Sequence, residues 1–407
     1  MDRYRALMAF DVARARAAYP ALDEGFVHFD GAAGTLVAEP VARAVAGVLC
    51  GAVANRTTAF APGRRALQIL ADARSAVADL VGGEPGGVVF GPSATALTYT
   101  VARGLARTWR PGDNVVVSRL DHDANVRPWV QLAEQNGVQV RWAEFERTTG
   151  ALPIQQYREI VDDRTRLVAV TAASNAIGTR PDVAAVAGIA HAAGAVVYVD
   201  GVHATPHLPT DVAALGADFY VTSAYKWSGP HLAACVAAPA RWEALAMDKL
   251  RPSPDDPPER FELGTPSWEL LAGVTAAVDF LAGLAPDAIG SRRERLLASL
   301  AATHEYSAGL FRRLLAGLQA IPGVTVLPAP PDGCPTVSFR VGDQHPADTA
   351  AALGEKGICV FSGDYYAYEY FQAMGLRDTG GGVRASIYHY TTAEEIDRLL
   401  EAVAGIA

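Results

Sequence analysis

The chain has 407 residues, of which 50% are hydrophobic and 19% are charged, so its composition is that of a globular protein and excludes a disordered one. Its net charge of -9 argues against a nucleic-acid partner, because phosphate binding needs a basic surface. No apolar stretch reaches membrane-spanning length, and the first residues lack the apolar block of a signal peptide. The cysteines (Cys50, Cys235, Cys334 and Cys359) have no metal-site spacing, so we expect a cytoplasmic, reduced protein without a metal.

From residue 88 to residue 237, short apolar runs alternate with helix-like stretches. Strands are predicted at 88–90, 114–118, 138–142, 167–171, 195–200, 219–221 and 232–237, and helices at 93–108, 124–136 and 181–193, with a further segment at 154–162. This alternation is typical of an α/β fold with a mainly parallel, seven-stranded sheet covered on both faces. In such sheets, ligands bind beyond the carboxyl ends of the strands.

The second half of the chain predicts a separate, smaller α+β domain. A Pro- and Asp-rich loop at 251–258 precedes a helix at 268–285, and a long amphipathic helix at 291–320 leads to strands at 336–341, 358–361 and 383–388, with a helix at 347–356. Thr391 and Glu394 match a capping box that would begin the last helix. We therefore predict an N-terminal helix in 1–20 that packs on the small domain, a large domain at 21–285 and a small domain at 286–407.

Two residues in the large domain indicate a cofactor. Asp200 closes one predicted strand, and Lys226 follows the next strand. A lysine can form an imine with pyridoxal phosphate, and an aspartate can keep the pyridine nitrogen of that cofactor protonated. A single lysine after a strand is usually a solvated surface residue, so this prediction depends on the rest of the chain.

Eight segments support the prediction. Their order along the chain and the spacing between them both match those of one known family. The segments are Phe29-Asp-Gly-Ala-Ala33, Ser93-Ala-Thr-Ala96, Asp121-His-Asp-Ala-Asn125, Ser174-Asn-Ala-Ile-Gly178, Val199-Asp-Gly-Val-His203, Thr222-Ser-Ala-Tyr-Lys226, Glu262-Leu-Gly-Thr265 and Val383-Arg-Ala-Ser386. Together they resemble the class V aminotransferase family, most closely its cysteine-desulfurase-like branch, from about residue 20 to the C-terminus. The resemblance implies a fold-type I enzyme dependent on pyridoxal phosphate.

The resemblance also implies a role for each matching residue. Lys226 matches the lysine that forms the imine and moves the Cα proton, and Asp200 matches the partner of the pyridine nitrogen. His122 matches an imidazole that stacks on the cofactor ring. His203 stands where relatives often carry Gln and would face the phenolic oxygen or the lysine. Asn175 matches an amide near that oxygen and the substrate carboxylate.

A second group of residues matches the phosphate site of the family. Its members are Ala94, Thr95, Ser223 and Tyr225, the last standing where many relatives have His. Gly264 and Thr265 match a segment that reaches the phosphate of the neighbouring subunit, which implies a homodimer with shared sites. On the substrate side, Arg384 matches the arginine that binds the α-carboxylate, and Ala33 is expected beside the substrate.

This chain departs from the desulfurases at the position of their sulfur nucleophile. Tyr366 stands where the cysteine would be, and Cys359 is expected to be a small buried core residue. Phe361 replaces an arginine that helps to hold the substrate, and Asn55 replaces a histidine that reaches into the partner's site. The aromatic run 365–370 is interpreted either as a wall facing a bulky substrate side chain or as packing in the core.

These departures lead to a prediction of the reaction on a small amino-acid substrate. We expect β-elimination from an S-substituted cysteine, which releases a thiol with pyruvate and ammonia, with Tyr365, Tyr366 or His203 as the acid. Decarboxylation-linked oxidative deamination of such a conjugate, transamination and epimerisation, as in secondary metabolism, remain alternatives. A true cysteine desulfurase and a non-catalytic binding protein are less favoured, the latter because it would not need an imine-forming lysine.

Overall fold

A computed structural model describes residues 10–407 of the chain. Part of the N-terminal helix predicted within 1–20 lies outside the described residues, and the remainder contains a short helix, α1 (Val12–Arg16). Arg16 bridges from α1 to Glu395 near the C-terminus at 2.9 Å, whereas Arg14 donates to the carbonyl of Gly283. None of the helices in residues 10–407 is long and apolar enough to span a membrane.

The predicted seven-stranded sheet is present. Its strands are β2 (Val88–Gly91), β3 (Asn114–Ser118), β4 (Gln139–Ala143), β5 (Thr165–Thr171), β6 (Val196–Asp200), β7 (Phe219–Ser223) and β8 (Ala233–Val236). They lie in the order β2-β8-β7-β6-β5-β3-β4, and β8 alone is antiparallel to its neighbours. The connections between parallel strands bring polar residues after β2, β3, β5, β6 and β7 to one edge of the sheet.

Both faces of this sheet are buried, as expected for parallel strands. Successive side chains of a strand point to opposite faces, so Val197 and Val199 join one apolar cluster while Tyr198 joins the other. The covering helices are α2 (Glu39–Leu49), α3 (Ala61–Val81), α4 (Ala94–Ala106), α5 (Arg127–Gln135), α6 (Ile154–Ile160), α7 (Val183–Ala192), α8 (Pro239–Glu243) and α9 (Trp268–Ala282). The loop at 251–258 is irregular, as predicted.

The long helix α10 (Arg292–Ala320) leads into the second, smaller layer. The other elements of this layer are β9 (Val324–Val326), β10 (Thr336–Val341), α11 (Pro346–Glu355), β11 (Ile358–Cys359), β12 (Phe361–Gly363), α12 (Tyr368–Met374), β13 (Gly382–Ser386) and α13 (Ala393–Ala404). An antiparallel sheet has the order β12-β13-β10-β9, while β11 pairs in parallel with β1 (Val27–His28). Phe311, Leu314 and Phe339 lie in the separate apolar core of this layer.

Three predicted elements differ in detail from the structure. The helix predicted at 124–136 is a 3-10 turn at Asp123–Asn125 followed by α5, because Pro128 starts a new helix. The strand predicted at 358–361 is divided between β11 and β12, which belong to different sheets. The capping box of α13 is formed by Thr392 and Glu395, one residue later than predicted.

Candidate active site

Two adjoining cavities lie at the carboxyl edge of the large sheet, where the small layer meets it. The outer cavity, lined in part by Tyr99, Phe361, Tyr366 and Arg384, has a volume of about 440 Å³. The inner cavity is lined by Asp200, His203 and Ser223 among others. Six residues line both cavities, namely Thr95, His122, Ala124, Asn175, Tyr225 and Lys226. Lys226 therefore stands at the junction of the two.

Lys226 lies on a 3-10 turn, Ala224–Lys226, directly after β7. It is one of only three lysines in the chain and is 6% exposed, whereas lysines are mostly exposed in folded proteins. Burial and the nearby charge of Arg384 lower the pKa of Lys226 to about 8, although Asp200 and Asp30 oppose this shift. Its amine therefore loses its proton more readily than that of an ordinary lysine.

Asp200 is the last residue of β6 and faces the inner cavity. Its Oδ1 accepts a hydrogen bond from the backbone N–H of Val202 at 2.9 Å, which fixes the carboxyl group. Burial raises the pKa of Asp200, while Lys226 opposes the shift. A positively charged nitrogen next to this carboxyl would lower its pKa again and so stabilise the ionised carboxylate.

His122 lies in the loop after β3, next to the buried Asp121. The carboxylate of Asp121 accepts hydrogen bonds from Ser118 and, at 2.6 Å, from the side chain of Asn125. His122 Nδ1 accepts from the N–H of Ala124 at 3.0 Å, so the neutral ring carries its proton on Nε2. Burial lowers the pKa of His122 to about 3, with smaller contributions from Lys226 and Arg384. The imidazole is thus neutral and fixed in orientation.

His203 and Asn175 carry buried polar atoms without a partner among the described residues. His203 Nε2 lies 3.0 Å from Thr336 Oγ1, and its Nδ1 is unpaired. Asn175 donates from Nδ2 to the carbonyl of Tyr365 at 2.9 Å, and its Oδ1 is unpaired. Unpaired buried polar atoms are costly, so their position in the wall of a cavity indicates a polar ligand.

The inner cavity ends at the first turn of α4. Ser93 caps this helix by accepting from the N–H of Ala96 at 3.1 Å, and Ala94 and Thr95 follow as its first residues. Ser223, at the end of β7, and Tyr225 line the same region. A helix N-terminus with adjacent hydroxyl groups favours an anion such as a phosphate.

Arg384 lies on β13 of the small layer, is 3% exposed and lines the outer cavity. One of its guanidinium nitrogens donates to the carbonyl of Asn175 at 3.1 Å, and another lies 3.7 Å from the carboxylate of Asp30. The guanidinium also covers the ring of Tyr365 at 4.6 Å from its centroid. Arg384 is thus held in one orientation at the cavity, with Nε free of any partner among the described residues.

The aromatic run 365–370 is divided between cavity and core. Tyr365 and Tyr366 both have left-handed backbones, with φ of 49° and 58°, and their rings have different partners, Phe371 for Tyr365 and His122 for Tyr366. The hydroxyl of Tyr365 is buried beside Gly382, whereas Tyr366 is 69% exposed and stacks on His122 at 5.4 Å. Tyr370 is fully buried in the core. Tyr365 and Tyr366 thus line the outer cavity, whereas Tyr370 packs in the core.

Three of the predicted site residues line neither cavity. Gly264 and Thr265 line a different cavity together with Phe90, and Asn55 is exposed with its side chain accepting from the N–H of Arg56. All three were expected to act on a neighbouring subunit. Ala33 and Phe361 do line the outer cavity, beside the residues described above.

None of the four cysteines lines either cavity. Cys235 and Cys334 are buried in the protein interior, and Cys50 is exposed. Cys359 is half-buried rather than the fully buried core residue that the sequence predicted, because its strand β11 pairs with β1 alone.

The sequence pattern did not identify several residues of the site. Tyr99, Arg127 and Pro128 line the outer cavity, and Thr336 contacts His203 from the small layer. Arg127 follows Asp123 by four residues, a spacing that favours the ion pair observed at 2.7 Å. No comparable signal in the sequence connects Thr336 with His203, since 133 residues separate them.

The residues present fit pyridoxal phosphate. The N-terminus of α4 and Ser223 suit its phosphate, and Asp200 suits its ring nitrogen. The unpaired His203 Nδ1 as a donor and the unpaired Asn175 Oδ1 as an acceptor suit its phenolic O–H group. Lys226 makes no hydrogen bond through Nζ to any of the described residues and supplies the amine for the aldehyde. Each functional group of this cofactor thus has a matching donor, acceptor or amine in the two cavities.

Comparisons with known proteins agree with this geometry. Residues 27–399 match the family described as "Aminotransferase class-V". An uncharacterized protein of Mycobacterium tuberculosis is 36% identical, and the match covers 98% of this chain and 100% of that protein. A probable cysteine desulfurase of Pseudomonas aeruginosa is 34% identical, and the match covers 95% of this chain and 96% of that protein. The crystal structure of the cysteine desulfurase CsdA from Escherichia coli has a TM-score of 0.85 at 27% identity, covering 97% of this chain and 98% of that one. The chain therefore belongs to the class V aminotransferase family of enzymes that depend on pyridoxal phosphate, and it resembles the cysteine desulfurases within it.

Proposed function

We propose that the enzyme cleaves the C–S bond of an S-substituted cysteine by β-elimination, releasing a thiol together with pyruvate and ammonia. The observation that carries this proposal is the composition of the outer cavity. An exposed tyrosine, Tyr366, stands beside His122, and no cysteine lines the wall. Such a site can protonate a leaving sulfur, but it has no cysteine thiolate that could attack the substrate sulfur and form a persulfide.

The binding residues support an orientation of the substrate. Arg384 would bind the α-carboxylate, because a guanidinium matches a carboxylate with two parallel donors. When bound, pyridoxal phosphate withdraws electrons from the substrate and makes its Cα proton acidic. Asp200 would hold the ring nitrogen, and the freed amine of Lys226 would take the Cα proton. Burial lowers the pKa of this amine, which suits the task, since a general base works best near the ambient pH.

Tyr366 is the best supported of the three candidates for the acid at the leaving sulfur. Tyr365 lines the outer cavity, but its hydroxyl is buried beside Gly382, and burial raises the pKa of this group far above its ordinary value. Burial and the neighbouring His207 hold the pKa of His203 well below its ordinary value, so this ring carries no spare proton at neutral pH. The Tyr366 hydroxyl is exposed at the outer cavity and free to reach the substrate.

The atoms of the reaction balance without a further oxidant or reductant. The C–S bond breaks, the leaving sulfur takes one proton, and the remaining three-carbon fragment reacts with water to give pyruvate and ammonia. The outer cavity would hold the S-substituent. Its aromatic and apolar wall, which includes Tyr99, Pro128 and Phe361, favours a bulky, largely apolar group.

Cysteine desulfuration is the second candidate, and the names of the relatives favour it. That reaction needs a cysteine whose thiolate attacks the substrate sulfur. Neither cavity has a cysteine in its wall, and burial raises the pKa of Cys235 and Cys334. β-Elimination needs no such residue, so we favour it.

The test compares substrates and leaving groups. The purified enzyme is incubated with L-cysteine, S-alkyl cysteines and S-aryl cysteines, and sulfide, free thiol and pyruvate are measured. We expect equal amounts of thiol and pyruvate from the conjugates. A persulfide, or sulfide accompanied by alanine instead of pyruvate, from plain cysteine would contradict the proposal, as would the absence of thiol from every conjugate.

A tyrosine variant tests the role of the acid. Tyr366→Phe keeps the ring that stacks on His122 and removes the proton donor. The loss of turnover should be larger for S-alkyl than for S-aryl cysteines, because an aryl thiolate is the more stable leaving group and needs less protonation. Equal losses for both would assign Tyr366 to binding rather than to proton transfer.

We also propose that the enzyme is a homodimer in which Thr265 and Asn55 serve the neighbouring site. Both residues lie outside the two cavities of their own chain, and both match positions that reach across a subunit interface in the family. Exposed apolar side chains at Phe60 and Leu263 support an interface near them.

A further inference from the structure

We propose that Ser228 is a positioning residue for Lys226 and that Tyr19, from the N-terminal segment, holds Ser228 in place. This inference rests on the proposed role of Lys226. It goes beyond that role because it proposes that hydroxyl groups outside both cavities fix the conformation of the turn that carries Lys226.

The backbone of Ser228 is the first observation. Ser228 has φ of 65°, one of three left-handed non-glycine residues in the described part of the chain, and it is completely buried. A glycine adopts such a backbone without strain, whereas a residue with a Cβ does not. A serine at this position indicates that its hydroxyl is needed.

The hydroxyl has two buried partners from distant parts of the chain. Ser228 Oγ lies 2.6 Å from the hydroxyl of Tyr19 and 3.4 Å from that of Tyr388. The Tyr19 hydroxyl also lies 2.7 Å from His389 Nε2, so it bridges the serine to the small layer. All four side chains are buried, and hydrogen bonds between buried groups fix their geometry.

The backbone around Ser228 connects this network to the lysine turn. The N–H groups of Trp227 and Gly229 both donate to the carbonyl of Ala224, at 2.9 and 2.8 Å, and so close the turn that carries Lys226. Trp227 is also buried, and its Nε1 donates to Thr222 at 3.1 Å. The lysine backbone therefore has little freedom while Ser228 keeps its conformation.

Thr35 fixes the same turn from its other side. Its Oγ1 accepts from the N–H of Ser228 at 2.8 Å and donates to the carbonyl of Tyr225 at 3.1 Å. One hydroxyl thus joins the residues that precede and follow Lys226. Together, Thr35 and Ser228 hold both ends of the short segment from which the lysine side chain projects.

The network acts through geometry rather than through charge. Burial raises the pKa of Tyr19 well above its ordinary value and lowers the pKa of His389 to about 3, so both groups are neutral near pH 7. Loss of the network should therefore displace the amine of Lys226 without adding a new ionisation to the site.

The test uses Ser228→Gly and Tyr19→Phe, with Tyr157→Phe as a matched control. Tyr157 is also a completely buried tyrosine, but its hydroxyl has no partner among the described residues. The three variants and the parent are compared in three measurements: the Tm, the Kd for pyridoxal phosphate from its visible absorbance, and the labelling of Lys226 in the apoprotein by an amine-reactive anhydride. Lys249 and Lys356 are the only other lysines and serve as internal references in the peptide mass spectra.

We expect Ser228→Gly to keep or raise the Tm, because the strain of a Cβ in a left-handed backbone is relieved. The same variant should weaken pyridoxal phosphate binding about tenfold, as expected for the loss of a buried hydrogen bond, and change the labelling rate of Lys226 relative to the references. Tyr19→Phe should change the Kd and the labelling in the same direction, while Tyr157→Phe leaves both unchanged.

The inference is overturned if Ser228→Gly and Tyr19→Phe leave the Kd and the labelling of Lys226 at the parent values, whatever happens to the Tm. An equal response of Tyr157→Phe would also overturn it. None of these measurements requires turnover. A failure of the proposed β-elimination would therefore show in the substrate assays alone, while these results would still decide the inference.

Discussion

At the scale of single residues, burial is the largest cause of the lowered pKa of Lys226, and charged neighbours of both signs adjust it. Arg384 makes the protonated amine less stable and Asp200 makes it more stable, while burial disfavours the charge in either case. The result is a pKa of about 8. A base with this pKa is largely protonated at pH 7 and largely free at pH 9.

This balance predicts opposite effects of two substitutions. Arg384→Gln removes a positive charge and should raise the pH midpoint of Lys226 labelling in the apoprotein by about one unit. Asp200→Asn removes a negative charge and should lower that midpoint. Arg340→Gln is the control, because Arg340 binds Thr379 and Gly381 and lines neither cavity. Shifts of the same sign in both site variants would contradict the assignment of the two charges.

At the scale of elements, the turn after β12 determines where Tyr366 stands. Its backbone N–H donates to Asp364 Oδ1 at 3.1 Å, and its carbonyl accepts from the N–H of Asp123 at 2.7 Å. The side chain of Asn175 also donates a hydrogen bond, from Nδ2 to the carbonyl of Tyr365. Contacts from the large domain therefore stabilise two consecutive left-handed residues that would be strained in isolation.

We predict that Asp364→Ala lowers turnover about tenfold, because the turn loses the acceptor that orients Tyr366. The Tm should change by less than about 4 °C, since the turn is at the surface. Arg377→Gln is the control, because it removes the 3.7 Å ion pair of Asp364 and leaves that acceptor in place. A similar loss of turnover in both variants would show that the ion pair, and not the turn, is responsible.

The start of α13 gives a second prediction at this scale. Thr392 accepts from the N–H of Glu395 at 3.3 Å, while Thr391 accepts from the N–H of Tyr388 and is not the cap. Thr392→Ala should therefore reduce the free energy of unfolding by about 1 kcal/mol, measured by urea denaturation. Glu394→Ala should have a smaller effect, because Glu395 and not Glu394 accepts from the N–H of Thr392. Equal effects would favour the capping box that the sequence pattern predicted.

At the scale of the whole molecule, the site is formed where the two layers meet. Lys226, Asp200 and His122 come from the large layer, and Arg384 and Tyr366 come from the small one. His203 and Thr336 join the layers by a buried contact of 3.0 Å. Any change in the relative position of the layers would therefore change the distance between Lys226 and Arg384.

The proposed homodimer predicts complementation between two impaired chains. Thr265→Glu would place a carboxylate against the phosphate in the neighbouring site, and Lys226→Ala removes the amine from its own site. Each variant alone should be nearly inactive. Subunit exchange between them should restore activity, because one of the two mixed sites combines an intact Lys226 with an intact Thr265. If Thr265 served its own chain, no mixed site would be complete and the mixture would remain inactive.

The sequence alone predicted the strands of the large sheet, their mainly parallel arrangement and the position of Asp200 and Lys226 at its carboxyl edge. Short apolar runs located the strands, and the stretches between them located the helices. Both patterns are local in the sequence. Asp200, Ser223 and Lys226 follow strands of one parallel sheet, so their common location at its carboxyl edge follows from topology. Arg384 and Tyr366 could be proposed only through the resemblance, because no local pattern connects the small domain with that edge.

The tertiary structure decided what depends on contacts between distant segments. Tyr365 and Tyr366 are identical and adjacent in the sequence, yet one hydroxyl is buried and the other is exposed, because the left-handed turn between β12 and α12 directs them apart. In the sequence Ser228 resembles an ordinary turn residue, and only the fold shows that its hydroxyl contacts those of Tyr19 and Tyr388. Periodicity and motifs report on local backbone preference, whereas the direction and the partners of a buried hydroxyl are set by packing across the whole fold.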